Sequence, residues 1–298
     1  MSQRLAVRKT YKLYVGGAFA RSESGRHDPV LDHEGSHVAN ITRASRKDVR
    51  DAVKKARGAQ PGWAGKTAYN RGQVLYRVAE MLEGRREQFV REVADAEGLS
   101  KSKAAAVVDA TIDRWVWYAG WTDKVAQVVG GANPVAGPFF NLSTPEPTGV
   151  VTVVAPQESS FLGLVSVAAP AIAAGNTVVV IASEKSPLPA LSLGEVLATS
   201  DLPGGVVNVL SGNTRELALP LAAHQDVNGL DLAGADADLA KDLEIAAADN
   251  LKRVLRPQAV ETDADFTAAP GTHRLTHFLE TKTVWHPTGS LGASGSAY

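Results

Sequence analysis

The stretch "SVAAPAIAAGNTVVVIASEKSPLPAL" (Ser166–Leu191) indicates the fold most directly. A segment with helical spacing precedes a short, continuous apolar run, Thr177–Ile181, and a second helical segment follows it. A run of β-branched residues between two helices is typical of a strand in a parallel sheet, because helices cover both faces of such a sheet. The stretch therefore predicts one unit of an α/β fold.

Short apolar runs of the same kind occur on both sides of this stretch, and segments with helical spacing separate them. The further apolar runs are "GVVTVVAP" (149–156), "GVVNVLSG" (205–212) and "VNGLDLAG" (227–234). Strands alternating with helices predict a Rossmann-like, doubly wound parallel sheet. Upstream, residues 45–129 have the spacing of a helical layer, with Ser45 as an N-cap and with Trp117 and Trp121 on a core-facing side. The first segment, "YKLYVGGAFARSES" (11–24), predicts a β-hairpin.

Composition narrows the possible functions. Lys plus Arg number 31 and Asp plus Glu number 32 among the 298 residues, a balance that argues against a broad nucleic-acid surface. Cysteine is absent, so disulfides, thiolate zinc sites and a cysteine nucleophile are excluded for this chain. Neither a signal-peptide pattern nor an apolar run of membrane-spanning length is present, and we therefore expect a cytoplasmic protein without a membrane partner.

Ligands of a doubly wound sheet bind at the carboxyl ends of its strands, so the candidate site residues follow the apolar runs. They are Glu158, Glu184, Gly212 and Gly234. Glu184 could accept hydrogen bonds from a ribose, and a solvated loop charge is an equally good interpretation. Ser160, beside Glu158, is expected to be a helix N-cap.

Two histidine pairs have a spacing of four residues, which suits a shared metal on a helix. They are His33 with His37 and His273 with His277. Neither pair has a third ligand nearby in sequence, and a zinc site needs at least three protein ligands. The aspartates around Asp231 lack the glycine and the terminal glutamate of a calcium loop. The sequence predicts no metal site.

Several segments, in order, resemble the aldehyde dehydrogenase superfamily. "LYVGGAF" resembles its N-terminal hairpin, "WYAGWTDKV" a long helix, and "EPTGVVTVVAP" the strand that enters its cofactor domain. The Ser166–Leu191 stretch is the most specific piece of the resemblance. "DLPGGVVNVLSG" and "HQDVNGLDLAGA" follow in family order, and "ETKTVW" resembles the C-terminal oligomerisation strand.

The catalytic positions that the resemblance implies are altered. The family attacks its aldehyde with a cysteine thiolate, which this chain lacks. Glu158 matches the family's oxyanion-binding asparagine, and a carboxylate there would repel an oxyanion. Pro257 matches the glutamate that serves as general base. The resemblance therefore implies an active site that lacks the family's nucleophile, its oxyanion-binding residue and its general base.

The implied cofactor positions are only partly kept. Glu184 matches the glutamate of the family's K-P-x-E segment, whereas its lysine falls on Ile181. Gly234 matches a glycine near the cofactor pyrophosphate, and Ala235 replaces the serine that follows it. Gly212 allows a tight turn at the same edge of the sheet. We expect no cofactor or, at most, vestigial NAD(P) binding at Glu184, Gly212 and Gly234.

The resemblance also implies a division of the chain. After Val254 the family continues into a catalytic domain, for which we expect no room here. The expected parts are a cofactor-domain-like body (1–126 and 147–256), oligomerisation strands (127–146 and 273–287), an irregular connector (257–272) and a flexible tail (288–298).

Three functions are compatible with these residues. The first is a non-catalytic structural or regulatory subunit that assembles with a full-length aldehyde dehydrogenase or with itself. The second is a residual NAD(P)-binding or sensing module. The third is an enzyme with Ser159 or Ser160 as nucleophile and Glu158 as base, although no third group that could orient such a base stands at a suitable spacing.

Overall fold

The computed structural model describes residues 7–256 and 263–288. Its strands are β1 (Thr10–Tyr11), β2 (Leu13–Val15), β3 (Ala18–Ala20), β4 (His27–Leu31), β5 (His37–Thr42), β6 (Gly131–Asn133), β7 (Phe139–Pro147), β8 (Val150–Val154), β9 (Thr177–Ile181), β10 (Val207–Leu210), β11 (Gly229–Asp231), β12 (Arg253–Leu255) and β13 (Leu279–Pro287). Its helices are α1 (Arg46–Ala64), α2 (Ala68–Glu83), α3 (Arg86–Glu97), α4 (Lys101–Trp121), α5 (Val125–Val129), α6 (Leu162–Ala173), α7 (Leu188–Leu197), α8 (Thr214–Ala222), α9 (Ala237–Ala247), α10 (Asp263–Thr267) and α11 (His273–His277).

The largest sheet has seven strands in the order β12-β11-β8-β9-β10-β2-β3. Strands β8 to β12 are parallel to their neighbours, whereas β2 pairs antiparallel with β10 and with β3. The predicted doubly wound α/β sheet is therefore confirmed. The hairpin β2-β3 forms one edge of this sheet, as the Gly16-Gly17 turn at positive φ permits.

The central strands are buried on both faces, and their side chains alternate between two cores. In β8, Val150 and Val154 belong to one apolar cluster and Val151 and Val153 to the other. Successive residues of a strand point to opposite faces, so a run without polar residues serves both cores at once. This is why the strands read as continuous apolar runs.

Helices cover both faces. Helices α1, α8 and α9 pack on one face, and α6 and α7 pack on the other with α2, α3 and α4 outside them. Ser45 caps α1 as predicted and forms a capping box with Asp48. The segment "WYAGWTDKV", which resembles a long helix, is divided between α4, which ends at Trp121, and α5, which starts at Val125. Trp117 and Trp121 are only partly buried against the core. Among the described helices, none is long and apolar enough to cross a bilayer.

A separate antiparallel sheet, which we call the arm sheet, has three strands in the order β13-β7-β6. The expected strand at 273–287 begins later than predicted, because His273–His277 form helix α11 and β13 starts at Leu279. The expected irregular connector likewise contains helix α10. Residues 289–298 of the expected flexible tail lie outside the described residues. The domain boundaries themselves stay a prediction.

Glu92 of α3 is a carboxyl group in the packing between α3 and α7. Its Oε1 accepts hydrogen bonds from Gln88 Nε2 at 2.8 Å and from Ser192 Oγ at 2.9 Å. Its Oε2 is buried and has no hydrogen-bond partner among the described residues. Burial raises the pKa of Glu92, and the charges of Lys9 and Glu195 act in opposite directions on it.

We expect this carboxyl to make stability depend on pH. The folded state binds the proton more tightly than the unfolded chain, so the free energy of unfolding falls as pH rises from the ordinary carboxyl range through the raised pKa of Glu92. Chemical denaturation across this range should show that fall in the wild type and not in Glu92→Gln. Glu87→Gln, an exposed change in the same helix, controls for the altered net charge. An equal fall in Glu92→Gln would assign the effect to another group.

Candidate functional site

The loops that follow β8, β9, β10 and β11 meet at one edge of the main sheet, because these strands are parallel. Hydrogen bonds join each loop to a neighbour. Gln157 Oε1 accepts from the Glu184 backbone N–H at 2.9 Å, and the Gly234 N–H donates to the Val154 carbonyl at 2.9 Å. The structure therefore brings Glu158, Glu184, Gly212 and Gly234 to the expected edge.

Glu158 lies on the first of these loops and forms an ion pair with Lys185 on the second. Both side chains are about half exposed, at 47% and 61%. Water screens such a surface ion pair, so the pair contributes little to stability.

The two serines after Glu158 are held by other groups. Ser159 is buried, and its Oγ accepts a hydrogen bond from the Gly163 N–H in the first turn of α6 at 2.8 Å. Ser160 Oγ donates to Glu97 Oε1 at 2.5 Å. The expectation that Ser160 is the N-cap is wrong, because the N-cap of α6 is Phe161 and α6 has no side-chain cap hydrogen bond. Ser160 instead ties the loop to the end of α3.

Glu184 uses both of its carboxylate oxygens inside the chain. Oε1 accepts from Asn213 Nδ2 at 3.0 Å, and Oε2 accepts from the Thr214 N–H at 2.8 Å. The second bond places a negative charge at the N-terminus of α8, where the helix dipole favours it. In this geometry Glu184 links the loop after β9 to the start of α8. Its two interpretations from the sequence, a ribose acceptor and a solvated loop charge, stay predictions.

Gly212 adopts φ +139°, which only glycine tolerates readily. A Cβ there would lie 3.3 Å from the Ala44 backbone nitrogen. Two hydrogen bonds join the neighbouring Ser211 to the end of β5 and the segment after it. The Ala44 N–H donates to the Ser211 carbonyl, and Ser211 Oγ donates to the Thr42 carbonyl. Gly212 thus permits the N-terminal layer to close over the end of β10.

Gly234 is where the loops after β8 and β11 touch backbone to backbone. A Cβ at Gly234 would lie 1.8 Å from the Ala155 carbonyl oxygen, so no side chain fits. Helix α9 starts just beyond, and the carboxylate of Asp236 accepts from the Leu239 N–H at 2.7 Å. Asp238 adds a second negative charge in the first turn.

A cleft of about 590 Å³ lies between β4 and the loops after β9 and β10. Acidic and basic side chains both line it, among them Asp28, Arg43, Glu184 and Lys185. Arg43 donates to Glu216 Oε2 at 3.1 Å and lies 3.8 Å from Asp28. Hydrogen bonds from Arg26 and Arg43 lower the pKa of the Glu216 carboxyl, so these charges compensate each other.

Comparison with known proteins identifies the family. The sequence model described as "Aldehyde dehydrogenase family" matches residues 19–269. The chain belongs to the aldehyde dehydrogenase family. A curated relative, "Aldehyde dehydrogenase, cytosolic 1" of Elephantulus edwardii, is 31% identical over 271 residues, which is 87% of this chain and 53% of the relative.

Solved structures agree with the assignment. HpcC from Thermus thermophilus superposes with a TM-score of 0.78 at 29% identity, covering 82% of this chain and 47% of HpcC. The NAD-dependent aldehyde dehydrogenase from Sinorhizobium meliloti gives 0.76 at 26% identity, covering 82% and 49%. This aldehyde dehydrogenase-like chain thus spans about half the length of the relatives it matches.

The family includes NAD-dependent enzymes, so a dinucleotide is the cofactor that this edge would have to hold. A pyrophosphate binds where a helix N-terminus offers N–H groups and positive potential. In this aldehyde dehydrogenase-like chain, Asp236 and Asp238 occupy that position at α9. Ile181, which matches the family's lysine, is fully buried, and Glu184 already accepts a hydrogen bond from the first turn of α8. The residues present do not fit a dinucleotide at this edge.

The expected general-base position, Pro257, lies outside the described residues. Clusters of three or more acidic or histidine side chains suited to a metal do not occur in ranges 7–256 and 263–288. His273 and His277 share α11 with ring centroids 6.0 Å apart, so that pair does lie on a helix, although the sequence pattern did not indicate one.

Sequence reasoning missed the role of the segment 263–278, which we call the C-terminal clasp. Its Arg274 forms an ion pair with Asp231, whose side chain is 1% exposed at the end of β11. Phe278 is fully buried against Gly229, and Phe266 packs against Gly163 of α6. The apolar residues Leu275, Phe278 and Leu279, close together in an otherwise polar stretch, are a signal that could have indicated burial here.

Proposed function

We propose that this chain is a non-catalytic aldehyde dehydrogenase-like subunit with a structural or regulatory role. It assembles with a full-length aldehyde dehydrogenase, or with a second copy of itself, through the arm sheet. The observation that carries the proposal is the open edge of β13. Since one of its relatives is named cytosolic, we place the subunit in the cytoplasm.

The residues available for chemistry support a non-catalytic role. The chain contains no cysteine, so a thiolate cannot attack an aldehyde. Glu158, at the oxyanion position of the resemblance, pairs with Lys185. Ser159 and Ser160, the alternative nucleophiles, are bonded to Gly163 and Glu97 and not to Glu158. The serine-enzyme hypothesis has no observation in its favour.

The arm sheet supports the docking part of the proposal. β13 pairs with β7 along nine residues, and its other edge meets no strand among the described residues. Seven of its nine residues are exposed. Such an edge presents unpaired backbone N–H and C=O groups, which proteins normally cover because they template aggregation. A strand from another subunit is the simplest cover.

Aromatic side chains strengthen this surface. Trp285 of β13 is 55% exposed and Phe140 of β7 is 46% exposed. Trp285 and Phe139 form an edge-to-face pair with centroids 5.7 Å apart. Exposed tryptophan in an aromatic cluster is enriched at the energetic centres of interfaces. A full-length relative is the preferred partner, because it would supply the nucleophile that this chain lacks.

Trp285→Arg is expected to weaken assembly by roughly 30-fold or more, because it replaces an interface aromatic with a charge. Sedimentation velocity and native mass spectrometry of the complex isolated from its own cells would measure this. Tyr69→Arg, a change at another exposed aromatic residue, on α2, is the control and should assemble normally. Circular dichroism confirms that the body stays folded. Recovery of the wild-type chain from its own cells as a monomer, with neither a second copy nor an aldehyde dehydrogenase bound, would refute the proposal.

A residual NAD(P)-binding or sensing module is the second candidate. The family assignment and the location of Glu184, Gly212 and Gly234 at the expected edge favour it. The acidic N-terminus of α9 opposes it. Titration of millimolar NAD and NADP in a calorimeter is therefore expected to give no saturable heat, with a full-length NAD-dependent relative as positive control. Saturable heat that Glu184→Gln abolishes would restore this function.

A further inference from the structure

The C-terminal clasp encloses a second cavity, of about 220 Å³, against α4, α6 and the end of β12. Its walls combine aromatic, cationic and hydroxyl groups. The residues that line it include Arg114, Tyr118, Ser166, Leu255, Phe266 and Pro270. The clasp forms one wall of this cavity, and none of the described lining residues belongs to the loops after β8, β9, β10 and β11.

Arg114 of α4 is a buried cation in this cavity, with 7% of its surface exposed. Its Nη2 donates to the carbonyl oxygens of Phe266 and Ala268. No carboxylate pairs with it among the residues whose side chains are described. Burial lowers the pKa of Arg114, which reflects a desolvated positive charge. Backbone carbonyls supply only partial negative charge, so an anion would stabilise this group further.

Ser166 of α6 is a second buried polar group in the cavity wall that lacks a favourable partner among the described residues. It is 4% exposed, and its Oγ is buried without a hydrogen-bond partner among the described residues. Serines inside helices usually bond a carbonyl of the preceding turn, which Ser166 does not do. A buried hydroxyl without a partner is costly, and a ligand atom that accepts its proton would remove that cost.

The remaining walls limit the ligand. Phe266 and Leu255 are buried apolar residues, and Tyr118 Oη donates to the Gly271 carbonyl at 3.4 Å. At the rim, Arg256 pairs with Glu244 and Arg274 pairs with Asp231, so the charges of these two arginines are already compensated. Asp265 is an exposed residue at the rim of the cavity. A single negative charge with a short apolar body matches these walls.

We propose that the cavity binds a short-chain organic carboxylate, with its carboxylate between the Arg114 guanidinium and the Ser166 hydroxyl and its carbon chain against Phe266. The planar guanidinium presents N–H groups in a fork that matches a carboxylate. The hydroxyl donates to one oxygen. Binding ties the clasp to α4 and α6, and so links occupancy of the cavity to the position of the segment that leads into β13.

The probe is butyrate, and its uncharged isostere butyramide is the control ligand, both at constant ionic strength. Ligand-observed NMR or calorimetry on the full chain is expected to give saturable binding of butyrate and none of butyramide. Ser166→Ala should weaken butyrate binding by roughly ten-fold, because it removes one hydrogen bond to a charged group. Equal binding of the two ligands, or unchanged affinity in Ser166→Ala, would overturn the proposal.

Two further variants complete the test. Thr152→Val removes another buried, unpartnered hydroxyl that does not line the cavity, and it should leave butyrate affinity unchanged. Arg114→Lys keeps the charge and loses the fork, so we expect weaker binding. Should Arg114→Lys fail to fold, Ser166→Ala still decides the question. Tighter binding of inorganic phosphate than of butyrate would contradict the assignment to a carboxylate.

Discussion

Gly234→Ala is expected to lower the free energy of unfolding by roughly 3 kcal/mol or more, the upper range for overpacking a buried site. The added Cβ would lie 1.8 Å from the Ala155 carbonyl oxygen, and a backbone atom cannot turn aside as a side chain can. One of two loops anchored to buried strands would have to move. Thermal unfolding followed by circular dichroism should show a midpoint lower by roughly 6–12 °C.

Gly58→Ala is the matched control for this change. Gly58 lies exposed inside α1, and a Cβ there would meet no atom within 4 Å. The substitution is expected to raise stability by about 0.5–1 kcal/mol, because glycine is unfavourable inside a helix. A Gly234→Ala protein that melts like the wild type would show that this glycine is not needed for packing.

Asp231→Ala has the second large expected effect, a loss of roughly 3–5 kcal/mol in the free energy of unfolding, because it removes the buried carboxylate of the ion pair with Arg274. Asp231 is fully buried, and its Oδ1 also accepts from the Ala233 N–H at 3.1 Å. Urea denaturation measures the loss, and limited proteolysis tests whether the C-terminal clasp is released. Cleavage within 263–278 should accelerate in the variant.

An exposed pair provides the contrast. Arg253 and Glu280 form an ion pair with side chains 39% and 52% exposed. Glu280→Gln is expected to cost less than about 1 kcal/mol, because water screens surface pairs. If both substitutions cost the same, the clasp is not held by the buried charge pair, and its attachment rests on Phe266 and Phe278.

Local patterns in the sequence were sufficient for most of the body. The apolar runs 149–156 and 176–183 became β8 and β9, and Ser45 capped α1 as its spacing predicted. These predictions succeeded because burial on both faces leaves a continuous apolar run, and a cap needs only residues three positions apart. The helices of the C-terminal clasp were not predicted, because helices of five residues carry too little periodicity to be distinguished from a strand.

The candidate site was predictable in position and not in partners. Sequence placed Glu158 and Glu184 at the edge of the sheet, since parallel strands end together. It could not show that Glu184 holds α8, nor that Ser160 bonds Glu97, a residue 63 positions away.

The sequence by itself determined the doubly wound sheet, because burial is non-directional and leaves a periodic pattern in the chain. It also determined the family resemblance and the absence of cysteine. The tertiary structure decided which polar groups are satisfied and which are not. It closed Gly234 against Ala155, locked Arg274 onto Asp231, and left Arg114 and Ser166 facing one cavity. Hydrogen bonds and ion pairs depend on distances and angles between residues far apart in the chain, which no local pattern encodes.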